Sequence, residues 1–221
     1  MKVPVKEVRL VNTAIRPPLE FIRAADEAAE CRASATSVLF LDIPRRRYLA
    51  IDGTAPPGSE AFRQAIASLY AVAYRVHFSA AHADQRAEIG HLHGLYWFDA
   101  AGRRPMGDEA PAGDGPMRWQ LLITLPDSAT EHEVAAAIEH HAAGRTTPEL
   151  PPHVVSWEEG PVAQLMHIGP YDAEQPTLDR LRTAIAEAGL LPHGCHHEIY
   201  LSGPRTKPGH TQTVLRQPVA A

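Results

Sequence analysis

The chain has 221 residues, of which 44% are hydrophobic and 21% charged, with a formal net charge of −5. That is the composition of an ordinary globular protein long enough to bury a sizeable core, and an acidic balance of this kind gives no basic footprint for nucleic acid. Only two cysteines occur, Cys31 and Cys195; they can pair at most once, which is not a disulfide framework. No stretch approaches the roughly 18 apolar residues of a membrane span, and the first ten residues alternate charge with Val and lack the apolar core of a signal peptide. The expected location is the cytoplasm, with no membrane partner.

Residues 1–35 read as a polar, Ala-rich, loosely packed lead-in with a short helix over 19–31. Val38-Leu39-Phe40-Leu41-Asp42-Ile43 is β-rich and closed by Pro44, so it predicts a strand. Arg45, Arg46 and Arg47 follow and fit a solvated turn better than a phosphate site. A second strand over 48–53 ends at Gly53 and the breakers Pro56, Pro57 and Gly58. Ser59 is a good helix N-cap with Glu60 in the first turn. Phe62, Ile66, Leu69, Tyr70 and Ala73 then recur at helical spacing, which predicts a helix to about residue 76 with one apolar face.

Residues 91–98 predict a strand, 99–116 a Gly- and Pro-rich hairpin loop, and 118–125 its partner strand. Thr130 and Glu133 have capping-box spacing, and Val134, Ala137, Ile138 and His141 share a face of the helix they open. Strands follow over 153–157 and 161–168. Then come a helix over 172–189, with Leu178, Leu181, Ile185 and Ala188 inward, and a closing hairpin of 195–201 with 211–216. The loops 80–90 and 100–116 have compositions that suit either lids or plain connections.

Strand, strand, helix, strand, strand occurs twice, over 36–125 and over 153–216. The joints match as well, Ile51-Asp52-Gly53 before one helix and His167-Ile168-Gly169 before the other. The expected fold class is therefore α+β, built from tandem duplicated β-β-α-β-β units with pseudo-two-fold symmetry and a ligand groove between the halves. The expected division is a lead-in over 1–35 and a domain over 36–219: one half at 36–126, a linking helix at 130–144 and the other half at 153–219.

The densest polar run is Cys195-His196-His197-Glu198-Ile199-Tyr200-Leu201. Alternation on a strand puts Cys195, His197, Ile199 and Leu201 on one side, as core, and His196, Glu198 and Tyr200 on the other. A carboxylate between an imidazole and a phenol can bind a cation, orient a hydroxyl or act as a general base; a solvated face with Glu198 paired to an Arg is the plain alternative. On the earlier strand His93, Leu95 and Trp97 share one face, and Leu92, Gly94, Tyr96 and Phe98 the other. Gly94 leaves room for a ligand or another backbone, and an aromatic wall beside a carboxylate suits a flat or cationic organic molecule. The 13 histidines include no HExxH or Cys/His zinc spacing, although His91 and His93 share a strand face, so no metal is expected. GxSxG, P-loop and GxGxxG patterns are absent, which leaves hydrolase-triad and nucleotide readings without support and calls for no cofactor.

The runs from Asp42-Ile43-Pro44 to Tyr48-Leu49-Ala50-Ile51-Asp52-Gly53, then Ala65-Ile66-Ala67-Ser68-Leu69-Tyr70-Ala71-Val72-Ala73-Tyr74 and Gly94-Leu95-Tyr96-Trp97, resemble GyrI-like small-molecule-binding proteins. So do Met166-His167-Ile168-Gly169-Pro170-Tyr171, His196-His197-Glu198-Ile199-Tyr200-Leu201-Ser202 and Pro204-Arg205, in order, over most of the chain. The resemblance implies two related α+β units with a groove that takes drug-like molecules. Some members with a fused DNA-binding domain are multidrug-sensing regulators, and some stand-alone members hydrolyse cyclopropane-bearing DNA-alkylating toxins. Carried over, Glu198 is the central carboxylate and, with Tyr200, the catalytic pair. Tyr96, Trp97 and Tyr171 are pocket walls, and His93, His167 and His196 complete the ligand-binding set.

The chain departs from that pattern at His91-Leu92-His93-Gly94-Leu95-Tyr96-Trp97. Where similar relatives have Pro-Leu-Glu-Gly-Leu-Trp-Trp, an acid has become His93 and a Trp has become Tyr96. His93 can serve as a base instead or, protonated, repel cations. The lead-in is too short for a helix-turn-helix, so direct contact with nucleic acid is not expected. The expected partner is a small organic molecule, bound or hydrolysed, with a protein partner as the third reading.

Overall fold

The computed structural model describes residues 19–79, 89–97, 117–143, 151–203 and 205–220. In chain order these form β1 (Ile22–Arg23), α1 (Glu27–Glu30), β2 (Leu39–Ile43), β3 (Arg46–Gly53), α2 (Glu60–His77), β4 (Leu92–Trp97) and β5 (Arg118–Thr124). Then follow α3 (Glu131–Ala143), β6 (His153–Trp157), β7 (Gly160–Ile168), α4 (Gln175–Glu187), β8 (Leu191–Pro192), β9 (His196–Tyr200) and β10 (Gln212–Ala220). The fold is α+β. Residues 80–88 of the expected loop over 80–90, the expected hairpin loop over 99–116 together with Phe98, and the lead-in before residue 19 lie outside the described residues.

The main helices form where their caps predict. Ser59 accepts a hydrogen bond from Phe62 N, and α2 buries Phe62, Ala65, Leu69, Val72, Ala73 and Val76. Thr130 and Glu133 make the reciprocal capping box, with Glu133 N donating to Thr130 Oγ1 at 3.2 Å and Thr130 N to Glu133 Oε2 at 2.9 Å. α4 begins at Gln175, because Tyr171–Ala173 forms a separate 3-10 turn, and it buries Leu181 and Ile185. The expected helix over 19–31 shrinks to α1. Ile22 and Arg23 are drawn out to pair in parallel with Leu41 and Asp42, a case of sheet pairing overriding local propensity.

The strand order β1-β2-β7-β10-β9-β4-β5-β3-β6 has a regularity. Exchanging β2 with β6, β3 with β7, β4 with β9 and β5 with β10 reverses the order from β2 to β6 and leaves it otherwise unchanged. The correspondence is one of element order and position. The first strand of each unit pairs with the other unit: β2 with β7, and β6 with β3. The two units meet at β4 and β9, where Gly94 faces Glu198.

The sheet is curled into a half-barrel. Trp157 on β6 and His197 on β9 stand four strands apart, about 19 Å on a flat sheet at ~4.8 Å per strand. Their ring centroids are only 5.9 Å apart. The curl therefore closes toward the face that carries His197, here the inner face, while α2 and α4 both lie on the outer one. α2 packs on Leu49, Ile51, Leu121 and Ile123, and α4 on Ala163, Leu165, Leu215 and Val219. Each fully buried aliphatic side chain contributes roughly 1.5–3 kcal/mol, so these two cores fix both helices on either side of the β4–β9 junction.

The described part of the lead-in, residues 19–35, seals the inner face instead of lying loosely outside it. Ala24, Glu30 and Cys31 are buried. Arg46 donates to Glu30 Oε1 at 2.6 Å, Arg47 donates to the Pro126 carbonyl and Arg45 pairs with Glu158. The three arginines are thus tied down individually, and the solvated-turn reading fails for Arg46. Cys31 and Cys195 are free thiols, both buried, and burial raises the Cys31 thiol to about 12. Among the described residues no helix is long and apolar enough to cross a membrane, and none group as three His, Cys, Asp or Glu able to hold a metal ion.

Candidate functional site

Residues paired across a sheet share a face. One row on the outer face runs Leu165, Leu215, Glu198, Gly94, Leu121, Ile51 across six strands. α4 covers its first two members and α2 its last two, leaving Glu198 and Gly94 as the floor between the helices. The next row brings Tyr200 beside Leu92 and Thr213, and the row on the other side brings His196 beside Tyr96. The unit junction is therefore a polar, aromatic strip in an otherwise apolar outer face.

Glu198 is buried, at 8% exposure. The Tyr200 hydroxyl donates to Glu198 Oε2 at 2.7 Å, and Tyr96 Oη lies 2.5 Å from Tyr200 Oη. Tyr200 uses its proton on the carboxylate, so Tyr96 is the donor in the second bond. Burial, then the Glu198 charge, pushes both phenols up; they act as fixed donors rather than acids. His196 Nε2 stands 3.6 Å from Glu198 Oε1 and is buried without a hydrogen-bond partner. The Tyr171 ring sits edge-on over Tyr200, centroids 5.7 Å apart, with half its own surface open.

Glu174, absent from the sequence-based set, closes the site. It is the residue before α4, and burial followed by the neighbouring Glu198 raises its carboxyl to about 7. Its Oε2 is buried and unpartnered. Its sequence signal was weak: an acid one turn after Gly169-Pro170-Tyr171 looks like an ordinary first-turn Glu. Only the fold puts it against a second carboxylate.

Of the predicted residues, the structure brings Glu198, Tyr200, Tyr96, His196 and Tyr171 together. It does not bring His93 and Trp97 to them. Both lie on the inner face, because alternation opposes His93 to Ile199 and Leu95 to His197. His93 is wholly buried, and Trp97 packs against the cluster formed by Tyr48, Ala50, Leu95, Leu122 and Cys195. The pleat sends alternate side chains of β4 to opposite sides, so one pocket cannot draw on both of its faces. His167 lies on the outer face, but both its ring nitrogens are engaged, Nδ1 with Thr177 Oγ1 at 3.1 Å and Nε2 with the Pro170 carbonyl at 3.0 Å.

The room at Gly94 is taken by the chain itself. A Cβ there would stand 2.7 Å from Tyr96 Cε2 and Oη. The ring leans back across the glycine to reach Tyr200. Gly94→Ala is therefore expected to push Tyr96 away and destabilise the fold by ~1–3 kcal/mol, read by urea denaturation. An unchanged midpoint would show that the ring tilts aside freely.

His93 instead belongs to a buried polar network. Arg216, fully buried, donates to Glu159 Oε2 at 2.8 Å, Gln164 Oε1 at 2.7 Å and the Glu30 carbonyl at 2.7 Å. Burial alone would raise Glu159, but His197 and Arg216 hold it down at about 2. An ionised Glu159 accepts from His197 Nδ1 at 2.9 Å. His197 Nε2 then accepts from His93 Nδ1, 2.9 Å away. The tautomers follow from the network, and His93 Nε2 is left as a buried lone pair without a partner. A separate open hollow of about 760 Å³ lies between α2 and α3, lined by Tyr74, Phe78, His132, Glu133, Ala137 and His140 among others; it contains none of the residues around Glu198.

Comparison with known proteins agrees with this architecture. A protein from Listeria innocua known only as an uncharacterized conserved protein is 27% identical, with a TM-score of 0.73, over 90% of this chain and 100% of that one. A protein described as a hydrolase from the same organism is 26% identical, with a TM-score of 0.71, over 90% and 100%. The EcmrR C-terminal domain, 12% identical with a TM-score of 0.50 over 83% of this chain and 97% of its own, shares the fold alone. No curated protein sequence matches. Residues 124–219, which carry α4, Glu174 and the Glu198–Tyr200 strand, match the GyrI-like small molecule binding domain.

Proposed function

We propose that the strip between α2 and α4 binds a small organic molecule, with Tyr96, Tyr200 and Tyr171 as aromatic contacts and Glu198 as the anchoring charge. The observation that carries this reading is the buried Glu198 carboxylate, held by a phenol on one oxygen and facing an unpartnered His196 nitrogen on the other. A buried charge without a full counter-charge is costly to the fold and is kept where a ligand completes it. Aromatic faces beside it favour a flat or cationic molecule. The test is a thermal-shift screen of planar, cationic and cyclopropane-bearing compounds, with mass spectrometry of each mixture. A ligand stabilises by linkage. Glu198→Gln is expected to weaken a cationic hit by about 2 kcal/mol, some 30-fold; an unchanged affinity would remove Glu198 from the site.

A second reading is favoured by Glu174. A carboxyl raised to about 7 beside a second carboxyl suits a general acid next to a base, and a protein of similar length that this chain resembles is described as a hydrolase. In this reading Glu198 takes a proton from water as its oxygen bonds to a strained cyclopropane carbon. The ring C–C bond breaks, its electron pair passes into the conjugated carbonyl, and the Glu174 carboxylic acid supplies the proton. A product heavier by one water, formed by wild type but not by Glu198→Gln, would establish it. Hits recovered unchanged would leave binding alone.

A further inference from the structure

We propose that His167 is a positioning residue, holding the 169–177 turn so that Tyr171 and Glu174 face Tyr200 and Glu198. The inference rests on the binding reading given above, but its geometry is independent of any ligand. His167 is buried at the end of β7. A carbonyl only accepts, so Nε2 carries the proton and donates to Pro170 O. Nδ1 is then the lone pair that receives the Thr177 hydroxyl. One ring thus ties together the residue before Tyr171 and the first turn of α4, three residues after Glu174.

The adjoining backbone is fitted to this latch. Gly169 has φ +146°, a conformation that L side chains rarely adopt. Its N–H donates to the Thr211 carbonyl at 2.9 Å, and a Cβ there would meet His167 Nε2 at ordinary contact distance, 3.4 Å. Glu174 needs such restraint. No side chain caps α4, Glu174 Oε2 has no partner, and the Glu198 charge repels it. Released, the carboxyl would swing to water. Tyr171, half exposed, has the edge-on contact with Tyr200 to keep it inward.

The experiment is a ¹³C-carboxyl NMR titration of glutamate-labelled protein, with Glu174 assigned by Glu174→Gln. In wild type the Glu174 signal is expected to titrate at about 7, raised by burial and by the neighbouring Glu198. In His167→Leu, which keeps the bulk and loses both hydrogen bonds, it is expected to fall toward the ordinary value of 4.5. In His167→Gln, whose amide can donate to Pro170 and accept from Thr177, it stays high. Ethidium, a planar aromatic cation read by fluorescence, should bind His167→Leu about tenfold more weakly than wild type and recover in His167→Gln. A folded His167→Leu protein whose Glu174 still titrates near 7 overturns the proposal. Should that variant unfold, Thr177→Val, which removes one of the two bonds, is read the same way, with a part of the fall expected. If Glu174 falls as stated while ethidium and the other screened compounds fail to bind even the wild type, the positioning role stands and the binding function does not.

Discussion

Arg216→Met is expected to destabilise the protein by ~3–5 kcal/mol, because it strips the guanidinium from a fully buried network and leaves Glu159 as an uncompensated charge. Glu159 would keep its charge against a neutral imidazole, and Gln164 Oε1 and the Glu30 carbonyl would each lose a donor. At roughly 2–4 °C per kcal/mol for a chain of this size, the melting temperature should drop by about 6–20 °C. Replacing both charges, as in Arg216→Met with Glu159→Leu, should recover part of the loss, since an apolar pair avoids the desolvation that the ion pair must offset. Thermal and urea melts of the two proteins decide the matter. A single variant that loses less than about 1 kcal/mol would mean that water or a rearranged side chain reaches Glu159.

Acid should loosen the same face through its imidazoles. Burial, then His197 and Arg216, lowers His93 well below its ordinary value. Burial also lowers His197, with Glu159 opposing. Both rings stay neutral when folded, and both charge near pH 6.5 when unfolded. The unfolded state therefore binds more protons below that pH, and stability present above 6.5 is lost as pH falls. Each ring contributes a slope of up to about 1.4 kcal/mol per pH unit.

Glu174 works the other way between about 7 and its unfolded value of 4.5, because the folded state holds its proton more tightly. Glu159, held at about 2, adds to the loss only below that window. A variant that removes one imidazole isolates the effect. His93→Gln keeps a donor for His197 Nε2 and cannot charge. Its stability should fall less steeply between pH 6.5 and 5, by about 1.4 kcal/mol per unit. Equal slopes in the two proteins would show that His93 is already protonated in the fold or gains a proton without cost.

The two predictions concern residues that the sequence placed unevenly. Alternation assigned Cys195, His197 and Ile199 to the core and His196, Glu198 and Tyr200 to the opposite side, and these faces are found. The same alternation put His93 and Trp97 opposite Gly94 and Tyr96. What it could not supply was which face of β4 meets which face of β9, since that depends on the pairing register. The register sets Gly94 against Glu198 and sends His93 and Trp97 to the inner face. The resemblance to GyrI-like proteins named a set of residues without dividing them between faces.

By itself the sequence determined the α+β class, the two runs of strand, strand, helix, strand, strand and the caps at Ser59 and Thr130. It also carried the motif around Glu198. These are local properties: periodicity, turn chemistry and the spacing of polar atoms along a few residues. Tertiary structure alone decided the rest. It passed β2 to β7 and β6 to β3, and it drew Ile22 and Arg23 out of an expected helix. It buried Glu30 and Arg216 in one network, and it carried Glu174 from the start of α4 to the side of Glu198. Each of these joins residues far apart in the chain, and which of the many possible pairings wins depends on how the curled sheet buries its two faces, a cooperative balance that no short stretch of sequence contains.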